Sequence, residues 1–163
     1  MTTAIADPTE TLKDLLKNNW NPANITGSLD IVTTGTGIYL STGWYTAGNE
    51  YPQLCVPHSG FAENPTSASG YNAMTPSGPS QFLVGQQLVV AFAHWKMDVS
   101  NSPKELTWEM AREAKRIVHA NANALSDFFA ISPGGLDKDL DAQKDPVLFN
   151  AQFFIGWTRF EDP

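Results

Sequence analysis

No lysine or arginine occurs between Lys17 and Lys96, and from Ile31 to Trp95 the only formal charges are Glu50 and Glu63. A monomer of this length ordinarily scatters charge over every exposed face. Two readings of the gap stand open. Either the surface there is rich in Ser, Thr, Gly and Asn and soluble without charge, or other subunits cover it, because interface cores are depleted in charge. Cysteine is scarce as well. The single Cys55 excludes an intrachain disulfide and a multi-cysteine metal site within one chain, and it fits a reducing compartment or a particle assembled in the cytosol. No apolar run approaches the roughly 18 residues of a membrane span. The start, from Met1 to Ala6, lacks the basic residues and apolar core of a signal peptide.

Signatures of chemistry are missing too. The chain has no G-x-S-x-G, no Walker-type glycine loop and no dinucleotide-binding G-x-G-x-x-G. Gly35-Thr36-Gly37 leads into a strand pattern, so it offers no helix N-terminus to a phosphate. His58, His94 and His119 fall on a loop, a strand and a helix with no ligand spacing among them. Cys55 lies in a Leu-Cys-Val run and reads as a small buried hydrophobe, although a thiol dyad with a distant His is the formal alternative. Asp137, Asp139 and Asp141 share the spacing of a calcium loop, but Ala142 stands where the turn needs Gly. Leu148 stands where a bidentate Glu belongs. Leu136–Pro146 therefore reads as a solvated acidic loop. The expectation is no catalytic residue, no metal ligand and no cofactor.

What the chain does contain argues for one folded domain over residues 1–163. Hydrophobic residues make up 42%, with nine Phe and five Trp, which excludes a disordered chain. The net charge of −7 excludes a broad basic surface for nucleic acid. Asp7-Pro8-Thr9-Glu10 starts a short helix whose Leu12, Leu15 and Leu16 share one face, ending at Asn18-Asn19. Leu29–Val32, Gly37–Leu40 and Tyr51–Val56 read as strands, with Trp44-Tyr45 a possible extension and Pro52 pushing its strand toward an edge or a strand start. Pro57–Ser80 is rich in turn formers and reads as a long loop. Its Phe61 and Tyr71 need cover, so it either folds back on its own domain or reaches a neighbour.

Gln87–Trp95 is the central strand. Leu88, Val90, Phe92 and His94 lie on one face and Val89, Ala91, Ala93 and Trp95 on the other. Both faces are apolar, so the strand is covered twice within the domain or once by another subunit. Ser102-Pro103-Lys104-Glu105 opens a long amphipathic helix with a capping box, and Ala124–Phe129 continues or caps it. A last strand alternates Phe149, Ala151, Phe153, Ile155 and Trp157 with Asn150, Gln152, Phe154, Gly156 and Thr158. Phe92, Trp95, Phe149, Phe153 and Trp157 read as core. The sum is an α+β fold: a mixed, mainly antiparallel sheet with an N-terminal helix and one long helix on one face.

This order resembles the tail terminator and tail-completion proteins of tailed viruses. The matching pieces are Pro8 to Asn18, Tyr51-Pro52-Gln53-Leu54, Gln87 to Trp95, Glu105 to Asn121 and Phe149 to Arg159. The resemblance implies a virion structural protein of the head–tail neck, assembled in the host cytoplasm, and not an enzyme. It implies a ring, hexameric in the family, that caps the tail tube and meets head–tail connector proteins. DNA would pass through the lumen without specific binding, as an acidic lining allows. For the subunit contact the aromatics Phe61, Tyr71 and Phe82 are the expected anchors. The competing expectations are a small-ligand-binding or hydrolytic α+β enzyme with the 57–80 segment as a lid, and a binding module that acts as a monomer.

Overall fold

The computed structural model describes residues 7–57, 61–63, 73–75, 78–97, 99, 102–122, 130–144 and 146–161. Its first helix, α1 (Pro8–Asn19), begins as the sequence dictates. The Asp7 side chain accepts the Thr9 N–H at 2.9 Å, Pro8 occupies the first turn, and Leu12, Leu15 and Leu16 are buried. The second helix, α2 (Pro103–Ala120), also starts on a proline, but Ser102 caps it without a side-chain hydrogen bond. The expected capping box is therefore not closed by Ser102; its carbonyl instead accepts the first helical bond, from Leu106 N–H at 2.8 Å.

Two long strands carry the sheet. Strand β5 (Gly78–Ala93) runs antiparallel to β8 (Leu148–Glu161), from Gln81 opposite Glu161 to Ala93 opposite Phe149. Short strands line both outer sides of this pair. On the β5 side lie β2 (Gln53–Cys55), β3 (Phe61–Glu63) and β4 (Ala73–Thr75), with β1 (Tyr39–Ser41) parallel to β2. On the β8 side lie β6 (Ala130–Pro133) and β7 (Asp137–Asp141). The sheet is mixed and mainly antiparallel, and Pro52 immediately precedes β2, as expected.

Both helices pack on the same face. Val89, Ala91, Phe153, Ile155 and Trp157 of the sheet form one core with Leu106, Met110 and Ile117 of α2 and with Leu12 and Leu16 of α1. A second, smaller cluster sits on the opposite face, built from Cys55, Val90, Phe92 and Leu148. Thus the two apolar faces of the central strand meet different partners. Phe92, Phe153 and Trp157 are core, and Phe149 is half-buried. Trp95 is not core: β5 ends at Ala93, and Trp95 in the turn beyond it is 66% exposed.

Several boundaries differ from the sequence reading. The long strand begins at Gly78 instead of Gln87, and the segment read as a loop over Pro57–Ser80 contains β3, β4 and the first residues of β5. Pro79 obscured this, yet it sits where β5 pairs with β4 alone, the edge situation in which a strand tolerates proline. Likewise Leu136–Pro146 is no loop throughout, because Asp137–Asp141 pairs with β8. Its Asp-Lys-Asp-Leu-Asp pattern lacks apolar alternation because β7 is a solvated edge, and such charges also discourage edge-to-edge pairing. Leu29–Val32 contributes only a parallel bridge from Ile31 to Ile38, and Trp44-Tyr45 forms no strand. The expected continuation over Ala124–Phe129 lies outside the described residues.

A buried carboxylate ties the α1 exit to α2. Glu113 accepts from Asn21 N–H at 3.1 Å, Asn24 Nδ2 at 2.7 Å, and Arg116 Nη2 at 2.6 Å. Burial pushes its carboxyl up, but the hydrogen bonds from Arg116, Asn24 and Asn21, with the Arg116 charge, outweigh that and hold it below the ordinary value. A carboxyl lowered in the folded state contributes stability that is present above the ordinary Glu value, about 4.3, and lost as pH falls through the folded value. Glu113→Gln should cost about 1–2 kcal/mol at neutral pH. It should also flatten the acid limb of the stability profile, read by urea unfolding at stepped pH. Parallel profiles for variant and wild type would remove Glu113 from that role.

Candidate interaction surface

Chemistry needs convergent polar groups, and the residues weighed for it do not converge. Cys55 is fully buried on the sheet face opposite the helices, beside Val90 and Phe92. Burial pushes its thiol up to about 11, only partly countered by the Ser41 hydroxyl at 3.8 Å, so the thiolate is scarce at neutral pH. His119 is exposed near the end of α2, which puts the sheet between it and Cys55. His94 is buried past the end of β5 and accepts the Lys96 N–H on Nδ1 at 3.2 Å. His58 lies outside the described residues. Beside His94 opens a cleft of about 490 Å³ lined by Tyr45, Glu50, Lys96 and Lys144, with no thiol or serine among the described residues of its wall.

Asp137, Asp139 and Asp141 lie on an extended strand, where alternate residues stand about 7 Å apart. A straight row at that spacing cannot wrap a cation as a calcium loop does. Among the described residues no group of three His, Cys, Asp or Glu could hold a metal ion. Among them, too, no helix is long and apolar enough to cross a membrane.

The surface itself is more informative. On the face away from the helices, β5 and β8 present Gln86, Leu88, Asn150, Gln152, Phe154 and Gly156, without a single charge. Phe154 is 48% exposed and its cross-strand partner Leu88 is half-buried. Trp44, 55% exposed, leans edge-on against Phe92 at 5.3 Å, with Tyr45 beside it at 5.2 Å. Aromatic groups left wet on an uncharged strand pair are the ordinary mark of an interaction site.

The anchors expected from sequence are placed only by their backbones. Phe61 opens β3 opposite Gly85, and Phe82 stands in β5 opposite Phe160. Tyr71 lies outside the described residues, as do the side chains of Phe61 and Phe82. The residues that sequence reasoning missed are Leu88, Phe154 and Trp44. Phe154 carried a readable signal, since it is the one large apolar residue among Asn150, Gln152, Phe154, Gly156 and Thr158.

The outer side of α2 carries exposed cations beside Glu105 and Glu109. Lys104, Arg112, Lys115, Arg116 and the neighbouring Lys138 make up five of the chain's ten Lys and Arg. Lys138 Nζ sits 4.5 Å above the Trp108 ring. Next to it, Trp108, Leu136, Arg112, Lys115 and His119 line an open recess of about 490 Å³. No family model matches the chain, and no curated protein matches it either.

Proposed function

We propose that this chain is a structural protein of the head–tail neck of a tailed virus, of the tail terminator or tail-completion type, that works as a closed ring on the end of the tail tube. The observation that carries the reading is the uncharged surface of the β5–β8 pair, with Leu88 half-buried and Phe154 exposed. An isolated domain leaves those groups wet, whereas neighbours in a ring cover them. The order of helices and strands supports the same reading. So does the lack of convergence among Cys55, His94 and His119, the thiol and imidazoles that lie among the described residues. Function on this view is mechanical: copies join side to side, one rim docks on the tail tube and the other meets connector proteins. DNA crosses the lumen without being held, since tight phosphate binding needs clustered cations facing it.

Imaging of the assembled particle tests the reading. Copies of this chain are expected in a closed ring at the junction of head and tail, with the Leu88–Phe154 face against a neighbour. A chain found outside any ring, its 57–80 segment packed only on its own subunit, would remove the proposal.

A further inference from the structure

Carboxylates crowd the β7 edge of the sheet, and Arg112, Lys115 and His119 crowd the middle and end of α2. Beside the uncharged surface of the β5–β8 pair, Asp137, Asp139 and Asp141 pair with Gln152, Asn150 and Leu148 of β8. Directly paired residues share a face. The three carboxylates therefore border the same surface that exposes Phe154, and Asp137 stands diagonal to it across the strand pair. One side of the sheet thus offers an aromatic knob edged by acid. The other side offers the recess over α2, floored by Trp108 and Leu136 and rimmed by Arg112, Lys115 and His119. Of the acids beside those cations, Glu113 is buried and bound to Arg116 at 2.6 Å, and Glu109 accepts the Thr26 N–H at 3.0 Å and hydroxyl at 2.7 Å, so neither lines the recess.

We infer that these two surfaces are the two halves of one contact between copies of this chain. The Phe154 knob with its acidic border docks into the Trp108–Arg112–Lys115 recess of the next copy, head to tail. The inference rests on the ring reading and adds to it the faces that meet. Three features of the molecule select a second copy as the occupant. The aromatic side chain matches an apolar floor, the carboxylate row matches a cationic rim, and the Phe154 knob lies on the sheet face away from the α2 recess. Like surfaces pressed together would set acid against acid or cation against cation. Two unlike surfaces give a heterologous contact, which propagates and closes when the rotation between copies permits. Salt weakens such a contact, because its rim pairs are exposed.

Native mass spectrometry of mixed variants tests this. Phe154→Glu removes the knob and leaves the recess, while Arg112→Glu with Lys115→Glu spoils the recess and leaves the knob. Wild type is expected to give oligomers, and each variant alone is expected to be monomeric. Their mixture is expected to give a one-to-one dimer and nothing larger, because one intact contact remains. Circular dichroism confirms that the variants fold, and Arg112→Ser with Lys115→Ser serves if the double reversal does not. Oligomers untouched by the helix substitutions overturn the inference while leaving a ring. A mixture that stays monomeric overturns it too. Should the helix substitutions abolish binding of duplex DNA and spare the oligomer, α2 faces nucleic acid and the inference is wrong. A wild type that stays monomeric at its highest soluble concentration overturns this contact, and particle imaging alone then decides the ring.

Discussion

Phe153→Ala should destabilise the domain by about 3–5 kcal/mol, the range for deleting a buried phenyl ring from a core that relaxes only in part. Phe153 is 1% exposed on the helix face of β8, directly opposite Val89, and shares its core with Met110 and Ile117 of α2. Its loss leaves a void between two elements whose backbones are fixed, one by the β5 ladder and the other by its own helical bonds. Ile117→Ala, across the same interface, should cost about 2–5 kcal/mol. The next residue in the strand supplies the control. Phe154 is 48% exposed, and its replacement by Ala should change stability by about 0.5 kcal/mol or less. Chemical denaturation of the three variants reads the difference. Equal losses at Phe153 and Phe154 would mean that the helix-side core is not where the folding energy is concentrated.

That contrast between neighbours also marks how far the sequence could be read. The periods of Val89–Ala93 and Phe149–Trp157 and the stripe of α2 were legible because one wide apolar core imposes them. The N-terminal helix was legible because Asp7 and Pro8 act locally. Strands β3, β4, β6 and β7 were not legible. They are three to five residues long, and they take their conformation from the ladder of a long neighbour instead of from their own pattern. Asp137–Asp141 is the clearest case, since nothing in Asp-Lys-Asp-Leu-Asp favours a strand until β8 offers its edge. The candidate surface was half legible. A gap in charge is a property of composition and reads directly, but the pairing of Leu88 with Phe154, and of the Asp row with β8, depends on register between distant segments. The cations of α2 were visible in the helix pattern, while the recess they rim needs Leu136 from the far side of the chain.

Gly85→Val should be destabilising by about 3 kcal/mol, opposite in sign to the gain that a β-branched residue usually brings to a strand. Glycine in a strand interior marks a close approach by something else, and here the visitor is Trp157. The two residues are direct cross-strand partners, and Trp157, 2% exposed, lays its indole over the glycine. A Cβ at Gly85 would fall among the ring atoms Cζ2, Cε2 and Cη2 of that indole. Neither side can give way cheaply, because the ring is enclosed by the helix-side core and both strands are held in register along their length. Gly85→Ala should also lose stability, by about 1–2 kcal/mol, although alanine at an ordinary strand glycine gains about 0.5–1 kcal/mol. Coupling to the indole gives the argument its own check. Trp157→Phe alone leaves a void, yet in the Gly85→Ala background the smaller ring makes room for the new methyl group. The double variant should therefore be more stable than the sum of the two single losses, by about 1 kcal/mol in a denaturation cycle. Strict additivity would mean that the glycine answers to backbone geometry and not to Trp157.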